Sequence, residues 1–215
     1  MKKPFLRALC AAALALATAA SLDAKAQAEK IPAGLRYEQN RQGGAAITGY
    51  TGTDTALVIP ARIDGKPVTV IGNYAFAECR SLRRVTIPAG VIFIESNAFL
   101  GCTGLRSVII PGSVTSIGGG AFYGCSSLRR VTVLDGVTAI EDYAFDECSN
   151  LTSVTIGGSV TAIGDYAFDE CSSLTSVTFA AGSRIHSENF SDRSPFPGDL
   201  REKYLAGGGA GGAGR

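Results

Sequence analysis

Arginine is the residue type whose spacing in this chain points most directly to chemistry. Single or paired arginines precede runs of alternating polar and apolar residues, at Arg83, Arg84, Arg106, Arg129 and Arg130. A guanidinium group is planar and weakly hydrated, and it binds oxyanions through two parallel hydrogen bonds. The pattern predicts a recognition strip for an anionic patch on a protein or a glycan. Solvated arginines that protect a β-rich face from aggregation would give the same pattern.

Acidic residues form a second cluster, whose members recur with a fixed 23-residue spacing. The cluster consists of Asp142, Asp146, Glu147, Asp165, Asp169 and Glu170. Carboxylate oxygens are the ligands that Ca²⁺ prefers, so a bound cation is conceivable. These carboxylates are expected along a ridge and not around a loop, which is typical of hydrated side chains. We therefore predict no metal site.

The sequence contains few residues in the patterns that enzymes use for catalysis. The chain has one histidine, His186, and neither an H-E-x-x-H nor a G-x-S-x-G motif. Paired carboxylates also need a cleft, which a uniform repeat does not offer. We therefore predict no enzyme, no catalytic residue and no cofactor; an enzyme would have to depend on His186.

Composition limits the class of partner. Of the 215 residues, 46% are hydrophobic and 18% are charged, and the formal net charge is +1. Such a chain can bury a core, and bulk electrostatic attraction to nucleic acid or a membrane is excluded as its main driving force. The positions expected to face outward on the strands also lack an aromatic stripe for stacking bases, so no nucleic-acid partner is predicted.

The elements that position these residues follow from an internal 23-residue repeat. Its apolar columns keep this spacing without an insertion, as in Phe76, Phe99, Phe122, Phe145 and Phe168, in Cys79, Cys102, Cys125, Cys148 and Cys171, and in Leu82, Leu105, Leu128, Leu151 and Leu174. One such unit is too small to bury its apolar side chains alone, so it must stack on its neighbours. Segments such as Arg84–Ile87 alternate polar and apolar residues, as half-buried strands do. The sequence therefore predicts a β-rich solenoid of right-handed coils with one parallel sheet.

The repeat resembles a known family. The stretch from Val68 to Pro88, VTVIGNYAFAECRSLRRVTIP, is similar to the 23-residue leucine-rich repeat of BspA-like bacterial surface proteins, with the pattern I-x-x-x-A-F-x-x-C-x-x-L-x-x-V-x-I-P. This resemblance covers residues 68–182. It implies a solenoid with one parallel sheet, export to the cell surface or beyond, and binding to other proteins, in some members as adhesins for host glycoproteins. The family offers no shared catalytic or binding residues to transfer.

The cysteine column has three interpretations. Adjacent coils are expected to bring the Cα atoms of successive cysteines to about 4.8 Å, which is within the range of a disulfide bond. Their Cα–Cβ bonds would be parallel, however, and this orientation suits a disulfide bond poorly. Zinc sites need ligands that converge, with spacings such as C-x₂-C. We favour a reduced, buried ladder, in which cysteine behaves as a small hydrophobic residue.

The two ends of the chain differ from the repeats. Residues 1–28 combine a basic start, an apolar run from Ala8 to Ala20, and small residues at Ala26 and Ala28, which together are typical of a signal peptide, with an uncleaved anchor as the alternative. We predict a hairpin cap and a partial repeat for residues 29–67. We predict a short helical cap for residues 183–205 and a flexible Gly-rich tail for residues 206–215. No transmembrane segment is expected in the mature chain.

These patterns together predict an exported protein, secreted or placed at the cell surface or in the periplasm. We expect it to bind a protein or glycoprotein on its strand face, through the five arginines, in a role such as adhesion. The alternative is an envelope or periplasmic scaffold that self-associates through its ends or apolar columns. Neither the partner nor the oligomeric state follows from the sequence.

Overall fold

Short parallel strands dominate the fold. The computed structural model describes residues 30–180. The strands in this part of the chain are β1 (Leu35–Gln39), β2 (Ala45–Tyr50), β3 (Ala56–Val58), β4 (Arg62–Ile63), β5 (Lys66–Ile71), β6 (Arg84–Thr86), β7 (Phe93–Ile94), β8 (Ser107–Ile110), β9 (Ser116–Ile117), β10 (Arg130–Val133), β11 (Ala139–Ile140), β12 (Ser153–Ile156), β13 (Ala162–Ile163) and β14 (Ser176–Phe179). They form a solenoid of about six turns, and we number coils 1 to 5 from residues 68, 91, 114, 137 and 160.

One sheet consists of six strands, one from each turn, in the order β14-β12-β10-β8-β6-β3. Neighbouring strands from the repeats are parallel and pair one 23-residue repeat apart, as in Val131 with Val154. Inward and outward residues alternate, and the inward valines of β6, β8, β10 and β12 are buried. The predicted strands of the repeats are therefore confirmed, and the region 29–67, predicted to hold a partial repeat, adds β3, which pairs with β6.

The prediction of one parallel sheet is wrong, because each coil contributes a second strand. These strands lie in an eight-stranded sheet with the order β1-β2-β5-β7-β9-β11-β13, with β4 attached to β5. In coils 2 to 5 they are only two residues long, such as Ser116–Ile117, with a single inward isoleucine. A strand of two residues cannot show the alternation by which a strand is recognised in a sequence.

The start of the described chain forms two antiparallel hairpins. Strand β1 pairs with β2, and β2 pairs in parallel with β5, which continues the eight-stranded sheet. Strands β4 and β5 form the second hairpin around Asp64 and Gly65, which have φ values of 51° and 74°. Two consecutive positive φ angles are typical of the tight turn that matches the twist of a hairpin. This second hairpin lies inside the region 29–67, for which the sequence predicts a cap and a partial repeat.

The core is a set of ladders that run along the stack. The rings of Phe76, Phe99, Phe122, Phe145 and Phe168 stack with centroids 4.9 to 5.2 Å apart and planes within 5° of each other. All five rings are fully buried. The predicted single file of phenylalanines is confirmed, and each coil shields the apolar face of the next.

Each coil also contains two residues in the left-handed region, with φ between 49° and 66°. These residues are Tyr74, Asn97, Gly120, Tyr143 and Tyr166 at the first position, and Glu78, Gly101, Gly124, Glu147 and Glu170 at the second. Glycine adopts this conformation freely, whereas for other residues it costs about 1 kcal/mol or more. Coil 3 is the coil with glycine at both positions.

Several predictions lie outside the described residues. These are the signal peptide at 1–28, the helical cap at 183–205, the tail at 206–215 and the site of His186. Within residues 30–180 there is no α-helix, and in that part of the chain no helix has the length and apolar character needed to cross a bilayer.

Candidate partner-binding surface

The outer face of the six-stranded sheet holds two of the predicted arginines. Arg84 pairs with Ser107, and Ser107 pairs with Arg130, so one strand separates the two arginines. The same row continues through Ser153 and Ser176. Because parallel strands lie about 4.8 Å apart, the two arginines start about 10 Å from each other.

The row immediately before this one holds the other three predicted arginines in successive coils. The backbone N–H of Arg106 donates to the carbonyl of Arg83 at 3.1 Å, and the N–H of Arg129 donates to Arg106 at 2.9 Å. The row begins at Thr55, whose carbonyl accepts from Arg83, and continues beyond Arg129 to Thr152. Three guanidinium-bearing side chains therefore arise from adjacent rungs, about 4.8 Å apart.

We call these five residues, Arg83, Arg84, Arg106, Arg129 and Arg130, the arginine face; all of them are exposed. None forms an ion pair with a residue in the described part of the chain, where the single ion pair joins Arg80 to Glu78 at 2.7 Å. Stacked like charges without counter-charges repel each other. An anionic partner would remove this repulsion, which makes the face chemically suited to binding oxyanions.

A shallow depression of about 320 Å³ lies against this face. It is lined by Thr55, Arg80, Ser81, Arg83, Gly104, Arg106 and Ser127. The lining contains three arginines, three hydroxyl groups and no carboxylate. Glu78 holds the side chain of Arg80, because Arg80 Nε donates to Glu78 Oε2 at 2.8 Å.

Sequence reasoning missed Thr55, Arg80, Ser81 and Ser127. They lie in the turns before the strands, whereas the predicted site was restricted to the strand face and the position preceding it. The absence of a side chain at Gly104 is required, because a Cβ there would lie 2.3 Å from the carbonyl oxygen of Arg80. The available signal was the same 23-residue spacing, which places Arg80 in the turn that leads to Arg83.

Two large apolar side chains interrupt the polar surface beside the arginines. Ile109 is 61% exposed, as expected for an outward strand position, and Val58 is 51% exposed on β3. Single exposed apolar residues are common on protein surfaces, and these two lie on the same sheet face as Arg84 and Arg130. The face therefore offers apolar contact area together with positive charge.

The acidic cluster in coils 4 and 5 is partly used inside the turns. Asp146 is only 8% exposed, and its carboxylate accepts from the backbone N–H of Glu147 at 2.7 Å. Burial raises the pKa of Asp146, and the nearby Asp169 adds to this effect. Asp142 accepts from the N–H of Asp165 at 2.8 Å. In the described residues no three acidic, cysteine or histidine side chains are grouped to hold a metal ion.

The cysteine column is a ladder of free thiols from Cys79 to Cys171. Each thiol in coils 2 to 5 donates to the phenylalanine carbonyl of the preceding coil, as from Cys102 Sγ to Phe76 O at 3.1 Å. Burial raises the pKa of Cys79, which is half-buried, to about 11, and burial also raises the pKa of Cys148 well above its ordinary value. The column is therefore a ladder of free thiols that pack inside the stack, as in the interpretation that we favoured.

Comparison with known proteins agrees with this architecture. A family model described as a BspA type leucine rich repeat region of six copies matches residues 69–195. A search of curated proteins found no match.

Solved structures of bacterial proteins are similar to the chain. A leucine rich cell surface protein from Faecalibacterium prausnitzii has 36% identity and a TM-score of 0.61, over 71% of this chain and 43% of that one. A leucine-rich repeat protein from Bacteroides ovatus has 30% identity and a TM-score of 0.61, over 69% and 40% of the two chains. The T. pallidum leucine rich repeat protein has 25% identity and a TM-score of 0.61, over 86% of this chain and 98% of that one. The chain thus spans less than half of the F. prausnitzii and B. ovatus proteins.

Proposed function

Since the chain belongs to the BspA type leucine rich repeat family, we propose that it is an exported, non-enzymatic binding protein that adheres to a protein or glycoprotein through its arginine face. Leucine-rich repeat proteins of this type are typically binding modules without enzymatic activity. The signal-peptide pattern of residues 1–28 supports export, as does the cell-surface description of the F. prausnitzii relative.

The observation that carries this proposal is the unpaired state of the arginine face. Five exposed arginines lie on three adjacent coils, without an acidic partner among the described residues. Arginine is enriched at protein interfaces because its guanidinium forms several hydrogen bonds and packs on apolar groups. The neighbouring Ile109 supplies an apolar contact of this kind.

The test is a charge reversal with a matched control. Replacing all five arginines of the face by Glu should abolish binding to immobilised plasma and extracellular-matrix glycoproteins. The control reverses the same number of charges elsewhere in the described chain, at Lys30, Arg36, Arg41, Arg62 and Lys66. It should bind as the wild type does. Circular dichroism and thermal melting check that both variants keep the fold.

Equal affinity of the wild type and the charge-reversed face would refute the assignment of this face. Light scattering at several protein concentrations addresses the alternative of a scaffold. A mass that rises with concentration, together with no retained glycoprotein, would favour self-association over adhesion.

A further inference from the structure

We propose that the arginine face, together with the depression beside it, binds sulfate groups carried by a linear glycan chain. This inference rests on the proposed function, because it uses the same surface and names the chemical group that the surface recognises. It adds Arg80, Thr55 and Ser127 to the binding site.

The first argument is the chemistry of the depression. Arg83 and Arg106 contribute positive charge from adjacent coils, whereas the charge of Arg80 is paired with Glu78. Planar guanidinium groups bind oxyanions through paired, charge-assisted hydrogen bonds. The hydroxyl groups of Thr55 and Ser127 can both donate to and accept from sugar hydroxyls. A volume of about 320 Å³ is small, and it suits one sulfated sugar unit better than a folded protein element.

The second argument is the direction of the arginine row. The backbone hydrogen bonds from Arg106 to Arg83 and from Arg129 to Arg106 place the Cα atoms of three arginines in a line along the solenoid. Their spacing is that of parallel strands, about 4.8 Å per rung. A polymer whose negative charges recur along its length can engage such a line in sequence. An acidic patch on a globular protein would need its carboxylates in a matching row.

The third argument separates the glycan from nucleic acid, which is also a linear polyanion. Proteins that bind single strands without sequence preference stack the bases on aromatic side chains. The arginine row continues through threonines and the adjacent outward row through serines, without an aromatic residue in either. The hydroxyl groups around the arginines instead match the hydroxyl groups of sugars.

The same row provides a substitution that the fold already accepts. In coils 4 and 5 the positions equivalent to Arg83, Arg106 and Arg129 are Thr152 and Thr175. Replacing the three arginines by Thr therefore removes the charge while keeping a residue that the same rung accommodates. A control replaces Lys30, Arg36 and Arg41 by Thr, which removes equal charge away from the six-stranded sheet.

The experiment measures binding of the full chain to heparin, to chemically desulfated heparin and to single-stranded DNA. We expect heparin to bind, with an affinity that falls as salt rises. The R83T/R106T/R129T variant should lose about tenfold or more in affinity, because three charge-assisted contacts are removed. The control variant should bind as the wild type does. Adding Thr152→Arg and Thr175→Arg to the wild type lengthens the row and should tighten binding.

Three results would overturn the inference. They are equal binding of heparin and desulfated heparin, equal affinity of the triple variant and its control, and single-stranded DNA bound as tightly as heparin. The proposed function is tested separately, on glycoproteins stripped of sulfated chains by heparinase and chondroitinase. Arginine-dependent binding that survives this treatment would contradict the glycan inference and leave the proposed function intact. If the arginine variants bind untreated glycoproteins as tightly as the wild type does, the proposed function itself is contradicted.

Discussion

Coils 1 to 3 and coils 4 and 5 share one backbone and one core but carry opposite charge. The core rungs repeat almost unchanged, and Phe76 and Phe168 are equally buried at the two ends of the ladder. On the outer rows, arginines on the first three coils give way to Thr152 and Thr175, and acidic turns appear in coils 4 and 5. The comparison shows that stacking constrains the inward positions, whereas the outward positions hold different residues on the same paired strands.

The largest expected effect concerns the shared core. Phe122→Ala and Phe145→Ala each remove a fully buried ring that stacks on both sides. Each should lower the free energy of unfolding by about 3–5 kcal/mol, because a large cavity remains in a ladder that cannot collapse freely. Urea denaturation of the two variants measures this. A loss below about 1 kcal/mol in either would contradict the burial of its ring.

Thiol reactivity provides the next prediction. The pKa of Cys79 is raised from 9.0 to about 11, so its thiolate fraction at pH 8 should be about 100-fold lower than that of a free thiol. Cys102 to Cys171 are buried and donate their hydrogen bonds inward. Alkylation with iodoacetamide, followed by peptide mapping, should label Cys79 first and the four buried thiols only after unfolding. Fast labelling of Cys125 or Cys148 in the native protein would show that the ladder opens.

The backbone of coil 3 gives a smaller effect. Gly124 has φ of 66°, and a Cβ added there meets only the Cα of Gly101, at 3.9 Å. Gly124→Ala should therefore be destabilising through its left-handed conformation alone, by about 1 kcal/mol. The equivalent residue in coil 4, Glu147, already bears this strain. An Ala variant as stable as the wild type would show that the coil relaxes to another turn.

The smallest effect concerns the acidic turn of coil 4. Burial raises the pKa of Asp146 in the folded protein, so the folded state favours the protonated carboxyl group. The stabilisation from this preference is present at low pH and is lost as the pH rises through the raised pKa. Asp146→Asn should therefore be more stable than the wild type at neutral pH, and the difference should shrink as the pH falls. Chemical denaturation between pH 4 and pH 8 measures this, with Glu38→Gln at an exposed position as the control. A difference that is independent of pH would contradict the effect of burial.

The sequence was most informative at the buried positions, where the same residue type recurs every 23 residues. The 23-residue columns predicted the coils, the strands of the six-stranded sheet and the stacked phenylalanines. It was less informative where local geometry depends on neighbouring coils. The second sheet was missed because strands such as Ser116–Ile117 are defined by cross-coil hydrogen bonds and not by alternation.

The candidate site was predicted only in part for a similar reason. The five arginines could be assigned to the outer rows from the alternation of the strands. The depression with Arg80 and Thr55 depends on how the turns of separate coils meet, which the spacing alone does not report. The burial of Asp146 was also missed, because a carboxylate at a turn is expected to be hydrated.

The most direct test of the central claim is the affinity of a glycoprotein partner for a relocated arginine row. The starting variant carries Thr at positions 83, 106 and 129, and the second variant adds Thr152→Arg and Thr175→Arg. If the arginine face binds the partner, the first variant should lose at least about tenfold in affinity and the second should recover part of it. Wild-type affinity in the first variant, with the fold intact, would contradict the claim.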